Sequence, residues 1–225
     1  MIRVKNLKRH YKNNEVIVKA LNGVSFNINL GEFVAIMGPS GSGKTTLLRI
    51  LGLIDRPSEG SYEINKLELS KIPEEERTYY RLTELGYVFQ DYALINEMTA
   101  LENVMTVSLM QGKPKRESIF LGIEALKKVG LDNKRNNLPN ELSGGEKQRV
   151  AVARAIANNP RILFADEPCA NLDTKTSESV LEVLKELNRK YNQTIVMVTH
   201  EEWHIKYVSR VIILRDGLIV TDKNI

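Results

Sequence analysis

The stretch EFVAIMGPSGSGKTTLLRILG, Glu32 to Gly52, changes character twice along its length. Residues 32–37 are a short apolar run ending in glycine, residues 38–43 are glycine, proline and serine only, and TTLLRILG, from Thr45, is apolar at helical spacing. The pattern reads as strand, loop, helix. Further along, RILFAD (161–166), TIVMVTH (194–200) and RVIILRDGLIV (210–220) are again apolar and rich in β-formers, the last broken by an Asp216-Gly217 hairpin turn. Between the first two, TKTSESVLEVLKELNRKY (174–191) sets Val180, Leu184, Leu187 and Tyr191 on one face of a predicted helix. Strands alternating with helices predict an α/β fold with a largely parallel sheet.

The region from Asp91 to Asn159 reads differently. Thr99 and Glu102 cap one predicted helix, Lys115 to Val129 forms a second before Gly130, and Ser143 starts a third that ends before Pro160. This is a helical insertion in the α/β core. With no internal repeat or low-complexity linker around it, it should pack on the core and not swing on a tether.

Composition narrows the class. The chain has 225 residues, 42% hydrophobic and 27% charged, as in an ordinary globular protein long enough to bury a sizeable core. No uncharged run spans a bilayer, and MIRVKNLKRHYKNN has no apolar segment behind its charges, so neither an anchor nor a secretion signal is expected. The single cysteine, Cys169, fits a reducing compartment. The net charge is +4, and the segment from Lys113 to Arg149 carries all of it. A basic face there could meet anionic lipid headgroups or nucleic acid, yet most such clusters are simply solvated helix faces.

The loop GPSGSGKTT matches the P-loop pattern at every required position: Gly38, Pro39, Ser40, Gly41, Ser42, Gly43, Lys44, Thr45 and Thr46. Its amides can curl around phosphate oxygens, Lys44 can reach the β and γ phosphates, and Thr45 can offer its hydroxyl to magnesium. ILFADE supplies the acidic half of such a site. Asp166 ends the strand and would hold magnesium through its waters, and Glu167, one residue on, could take a proton from the attacking water. A second feature, ELSGGEKQR (141–149), is a helix start with a capping box from Ser143 to Glu146. Its two glycines, Gly144 and Gly145, leave a positively polarised backbone bare, as an anion site requires.

Taken in order, the P-loop, Gln90 after GYVF, LSGGE with the following KQR, ILFADEP, NLD at Asn171, Leu172 and Asp173, and His200 after TIVMVT give the chain a family likeness. It resembles the nucleotide-binding subunit of ATP-binding cassette (ABC) transporters over nearly its whole length. KALNGVSF, DRPSEG and NLD look most like the branch serving lipoprotein release, macrolide or peptide export, and a cell-division complex. The resemblance implies a RecA-like P-loop NTPase core with an antiparallel β subdomain, formed by residues 1–90 and 158–225, and a helical signature subdomain at 91–157.

The same resemblance assigns roles. Tyr11 would stack on adenine, Gln90 would touch magnesium and the attacking water, and His200 would contact the γ phosphate. Ser143, Gly144, Gly145 and Glu146 would cap the ATP held by Lys44 of a second subunit, with Asn171–Asp173 at the dimer interface. The implied cofactors are ATP and Mg2+, and the implied partners are a second ATP-binding subunit, most simply an identical one, and a transmembrane permease. The segment DYALINEMTALENV would bind the permease, placing the chain in the cytoplasm on the inner face of the membrane. An ATP cycle that signals across the membrane without transport fits these motifs equally. No nucleic acid is expected, because only 98 positions separate Lys44 from Leu142, too few for the long coiled coil of the chromosome-organising ABC ATPases. Cys169, Ala170 and Ser209 depart from the residues usual in this branch, and Trp203 and His204 receive no role.

Overall fold

The computed structural model of the chain describes residues 1–13 and 16–225. Its strands are β1 (Ile2–Asn13), β2 (Val16–Ile28), β3 (Phe33–Met37), β4 (Glu59–Ile64), β5 (Leu67–Glu68), β6 (Leu85–Val88), β7 (Ile162–Asp166), β8 (Thr194–Val198), β9 (Arg210–Arg215) and β10 (Leu218–Asn224). Its helices are α1 (Lys44–Leu51), α2 (Glu74–Thr83), α3 (Ala100–Met110), α4 (Lys115–Lys128), α5 (Gly144–Ile156) and α6 (Thr174–Tyr191). Among the described residues the larger sheet runs β10-β9-β3-β8-β7-β6, with β9 through β6 parallel and β10 returning antiparallel on β9. Asp216 and Gly217 both take positive φ at that return, the requirement of the tight hairpin read from the sequence.

β3 is buried along its whole length because it lies between two layers. Phe33, Ala35 and Met37 join an apolar cluster on one face, and Val34 and Ile36 join another on the opposite face. A strand's two-residue alternation, with both faces covered, produces the continuous apolar run seen in the sequence. On the first face, Val104 of α3, Leu126 of α4 and Val152 and Ile156 of α5 share one cluster with Leu163, Ile195 and the α6 residues Val180, Leu181 and Leu184. The helical insertion therefore packs directly on the core. On the other face, α1 packs with a second, antiparallel sheet, β2-β1-β4-β5, through Leu47, Leu48, Ile2, Leu7, Leu21 and Tyr62.

One sequence expectation needs correction, and one helix had no sequence expectation at all. Tyr191 does not share the buried face of α6; it is 54% exposed, and Lys128 Nζ sits 4.9 Å from its ring centroid. It is the last residue of the helix, before Asn192 in the left-handed conformation, and the buried face includes Leu181 in addition to Val180, Leu184 and Leu187. Helix α2, EEERTYYRLT, offers little apolar surface to announce it, Tyr80 alone packing against the core cluster. Its Arg77 is buried and donates to the carbonyls of Leu53 (2.7 Å) and Asp55 (2.9 Å), so backbone acceptors hold it in place of a hydrophobic stripe. No helix among the described residues is long and apolar enough to cross a membrane.

Candidate active site

β3 delivers the chain into the glycine-rich loop, and the loop closes around Lys44. The Lys44 side chain is buried, its ammonium donating to the carbonyls of Gly38 (2.9 Å) and Pro39 (3.0 Å). Gly43 has φ +99°, and a Cβ there would lie 2.2 Å from the Ala20 carbonyl oxygen, so only glycine fits. The outer side of the loop at Gly41 is open, with nothing within 4 Å of where a Cβ would stand. Ser42 Oγ is buried without a protein partner among the described residues. An open ring of backbone around a buried cation and an orphaned hydroxyl suits phosphate oxygens.

Thr45 and Asp166 meet although 121 positions separate them: Thr45 Oγ1 donates to Asp166 Oδ1 at 3.1 Å. Tyr87 OH donates to Asp166 Oδ2 at 3.3 Å, a partner that sequence reading missed; its only signal is its place on the strand before Gln90. Burial raises the Asp166 pKa above the usual carboxylate value, opposed by these two hydrogen bonds. The described residues hold no cluster of three or more His, Cys, Asp or Glu side chains able to bind a metal. A hydroxyl and one carboxylate instead suit magnesium, which keeps waters and substrate oxygens in its shell.

The parallel register pairs Asp166 with Val198, so Glu167 and His200 leave neighbouring strand ends side by side. Glu167 has φ +44°, a conformation strained for a non-glycine residue, and its N–H donates to the Val198 carbonyl at 3.1 Å. That turn brings Glu167 Oε2 to 3.3 Å from His200 Nδ1. Gln90, just past β6, is exposed; its carbonyl accepts from Asn171 Nδ2 at 3.2 Å.

Tyr11 lies on β1, partly exposed, its hydroxyl donating to Asp55 Oδ2 at 2.7 Å. The Arg9 guanidinium stands 4.4 Å from the ring centroid and is paired with Asp55 at 2.9 Å. One ring face is thus covered and the phenol tip fixed. Burial pushes the Asp55 carboxyl up, but hydrogen bonds from Tyr11 and the Arg56 amide, with the Arg9 charge, bring it below its ordinary value. Neither Arg9 nor Asp55 was given a role in the sequence reading, although Asp55 opens the DRPSEG stretch, since each is ordinary until β1 meets the loop after α1.

The LSGGE stretch starts α5 with Ser143 exposed as its cap. Ser143 Oγ accepts from the Glu146 amide (3.3 Å), and Glu146 Oε2 accepts from the Ser143 amide (2.8 Å). The Ser143 amide, first among several contacts, holds the Glu146 carboxyl below the usual range. Gly145 is buried, and a Cβ on it would stand 2.3 Å from Thr176 Cγ2 of α6. Asp173 caps α6, accepting from the Thr176 amide at 3.0 Å, and Leu172 packs against Gly144. Residues 143–146 and 171–173 therefore form one surface. No hydrogen bond among the described residues joins 143–146 to the Gly38–Thr46 loop.

Of the departures from the branch pattern, Cys169 is buried with its thiol pushed up to about 12 by burial. Ser209 Oγ donates to the Phe33 carbonyl at 3.1 Å and pins the start of β3.

A family model described as "ABC transporter" matches residues 21–170. The macrolide export ATP-binding/permease protein MacB of Chlorobium luteolum is 46% identical over 223 residues, covering 99% of this chain and 33% of its own. The chain thus spans about a third of the length of that relative. The uncharacterized ABC transporter ATP-binding protein MJ0796 of Methanocaldococcus jannaschii is 43% identical, covering 100% of this chain and 97% of its own. A solved structure of the MJ0796 cassette, described as a dimeric post-hydrolysis state bound to ADP and Pi, superposes with a TM-score of 0.90 at 42% identity, covering 100% of this chain and 98% of that one. The chain belongs to the ABC transporter family, as one of its ATP-binding cassettes, with the α/β fold of the P-loop NTPases.

Proposed function

We propose that this chain is the ATP-hydrolysing subunit of an ABC transporter, that two copies close around two Mg-ATP, and that the cycle drives a transmembrane permease in exporting or extracting a lipoprotein, peptide or drug-like substrate. Residues 1–90 and 158–225 are the nucleotide-binding core and 91–157 the signature subdomain. The observation that carries the reading is the convergence of Lys44, Thr45, Asp166, Glu167 and His200 at the ends of β3, β7 and β8. The dimer is supported by the dimeric MJ0796 cassettes and by the exposed Ser143 surface. The permease is supported by the double name of the MacB relatives. This arrangement places the chain in the cytoplasm, against the inner membrane face.

In this reading water attacks the γ phosphorus, the bond to the β–γ bridging oxygen breaks, and ADP and phosphate leave. Glu167 takes the water's proton on a carboxylate oxygen, and His200 and Lys44 steady the γ phosphate. Thr45, Asp166 and Gln90 would hold Mg2+, which supplies charge neutralisation across the phosphate oxygens. Tyr11 offers its open face to adenine. Ser143, Gly144 and Gly145 of the partner subunit complete the site.

The test is Glu167→Gln. Turnover should fall by about two to four orders of magnitude, the usual contribution of a general base, while ATP binding persists and an ATP-bound dimer accumulates. Wild-type turnover in this variant would remove Glu167 from the chemistry.

A further inference from the structure

The reaction described above makes no use of His204, yet this residue is only 2% exposed, in a short 3-10 turn (Glu202–Tyr207) directly after β8. Its Nδ1 lies 2.7 Å from Thr199 Oγ1, and Thr199 is equally buried. The Thr199 hydroxyl also accepts the Glu201 N–H at 3.1 Å. The Glu201 amide takes only one of the hydroxyl's two lone pairs, but no acceptor other than Nδ1 among the described residues faces the hydroxyl proton, so that proton goes to Nδ1. His204 is then a neutral imidazole carrying its own proton on Nε2, which is buried and has no protein partner among the described residues. Burial, opposed by the Glu201 carboxylate and aided by the His200 and Lys206 charges, holds its pKa down at about 4, in agreement with a neutral ring.

These bonds bracket His200. On one side Thr199 N–H donates to the Ile36 carbonyl (3.2 Å), tying the segment to β3, and on the other the His204 N–H donates to the Glu201 carbonyl (3.2 Å). His200 itself is 53% exposed at the side chain, its Nδ1 3.3 Å from Glu167 and its Nε2 3.3 Å from Glu201. Packing anchors the far end of the turn, where Tyr207 is buried in the core with Trp203 and Ile205 against it, while a cavity of about 140 Å³ bordered by Glu167, Cys169, His200, Trp203 and His204 lies beside His200. Between those anchors the hydrogen-bonded link from Thr199 to His204 adds a constraint on the backbone of His200, with the Trp203 ring set edge-on against the imidazole at 4.2 Å.

We propose that His204 is a positioning residue for His200: by accepting the Thr199 hydroxyl it fixes the turn that carries His200, and so the approach of that imidazole to Glu167. The inference rests on the ATPase reading, in which Glu167 and His200 meet the γ phosphate.

Two substitutions separate the hydrogen bond from the packing. His204→Asn keeps an acceptor oxygen near the place of Nδ1 and gives up the ring; His204→Phe keeps a ring and gives up the acceptor. Thr199→Val removes the donor at nearly constant shape. The Asn variant should hydrolyse ATP within about twofold of wild type, whereas Phe and Val should each lower kcat about tenfold, the scale of one lost hydrogen bond, with KM for ATP little changed. The double variant Thr199→Val/His204→Phe should fall no further than either single change, because both remove the same link. Independently of activity, nitrogen-15 imidazole spectra of the wild-type protein should show His204 with its proton on Nε2. The proposal is overturned if Phe is active and Asn impaired, the order packing would give, or if the spectra place the proton on Nδ1. Should the Phe variant fail to fold, Thr199→Val and the spectra decide. If Glu167→Gln leaves wild-type turnover intact, the ATPase reading fails; if Glu167→Gln is inactive while Thr199→Val and His204→Phe turn over normally, only the positioning role fails.

Discussion

The Asp166 carboxyl sits at the end of a buried strand, where burial outweighs the hydrogen bonds from Thr45 and Tyr87 and keeps its pKa above 3.8. Between 3.8 and that raised value the folded chain holds more protons than the unfolded one, so this residue's contribution to stability falls as pH rises through the window. At neutral pH an ionised Asp166 is therefore a liability in the absence of a cation. Asp166→Asn should melt at a higher temperature than wild type at pH 7 without nucleotide or magnesium, and the gap should close as pH drops below the window; a variant less stable at pH 7 would contradict this. Tyr11 permits a second residue-level test. Arg9 covers one of its ring faces, so the other is the one left for adenine, and Tyr11→Ala should weaken ATP by about 1 kcal/mol while leaving inorganic triphosphate unaffected. An equal loss for both ligands would make Tyr11 a packing residue.

At the scale of elements, the start of α5 serves two ends at once. The Ser143 cap satisfies the Glu146 amide of its own helix and also stands on an exposed surface beside Asn171–Asp173. Ser143→Ala should cost about 1 kcal/mol of stability through the cap alone, measured by urea unfolding. Gly145→Val probes the packing of α5 on α6, since its Cβ would fall 2.3 Å from Thr176 Cγ2 and the helices would have to part. It should lower Tm more than Ser143→Ala does, and Thr176→Gly, by removing the obstructing methyl, should recover part of the loss. No recovery would mean that the strain lies elsewhere in the turn.

For the whole molecule the question is whether one chain contains a complete site. Lys44→Ala and Ser143→Arg should each be inactive as homodimers, one lacking the phosphate cation and the other blocking the surface where the partner's phosphate would sit. In a mixed dimer both lesions fall in one site and the other is wild type. Mixing should restore ATP capture between subunits, read as nucleotide-dependent dimers by light scattering; mixed dimers that capture none would leave Ser143–Glu146 as only the cap of α5. The chemistry-bearing residues of that scheme were determined by the sequence, because phosphate binding needs a contiguous pattern: the loop from Gly38 to Thr46, the Asp166-Glu167 pair after an apolar run, and the LSGG helix start are each local. So were β3, β7, β8 and β9, whose burial on both faces leaves an unbroken apolar run. Tertiary structure alone decided the rest. Tyr87 on Asp166, Arg9 and Asp55 on Tyr11, and Thr199 against His204 are polar groups with no periodic signature, and helix α2 is held by Arg77 reaching carbonyls 22 and 24 positions away. Their partners are set by which strand ends and loops the sheet order brings together, and a hydrogen bond between distant residues leaves no pattern in either sequence segment taken alone.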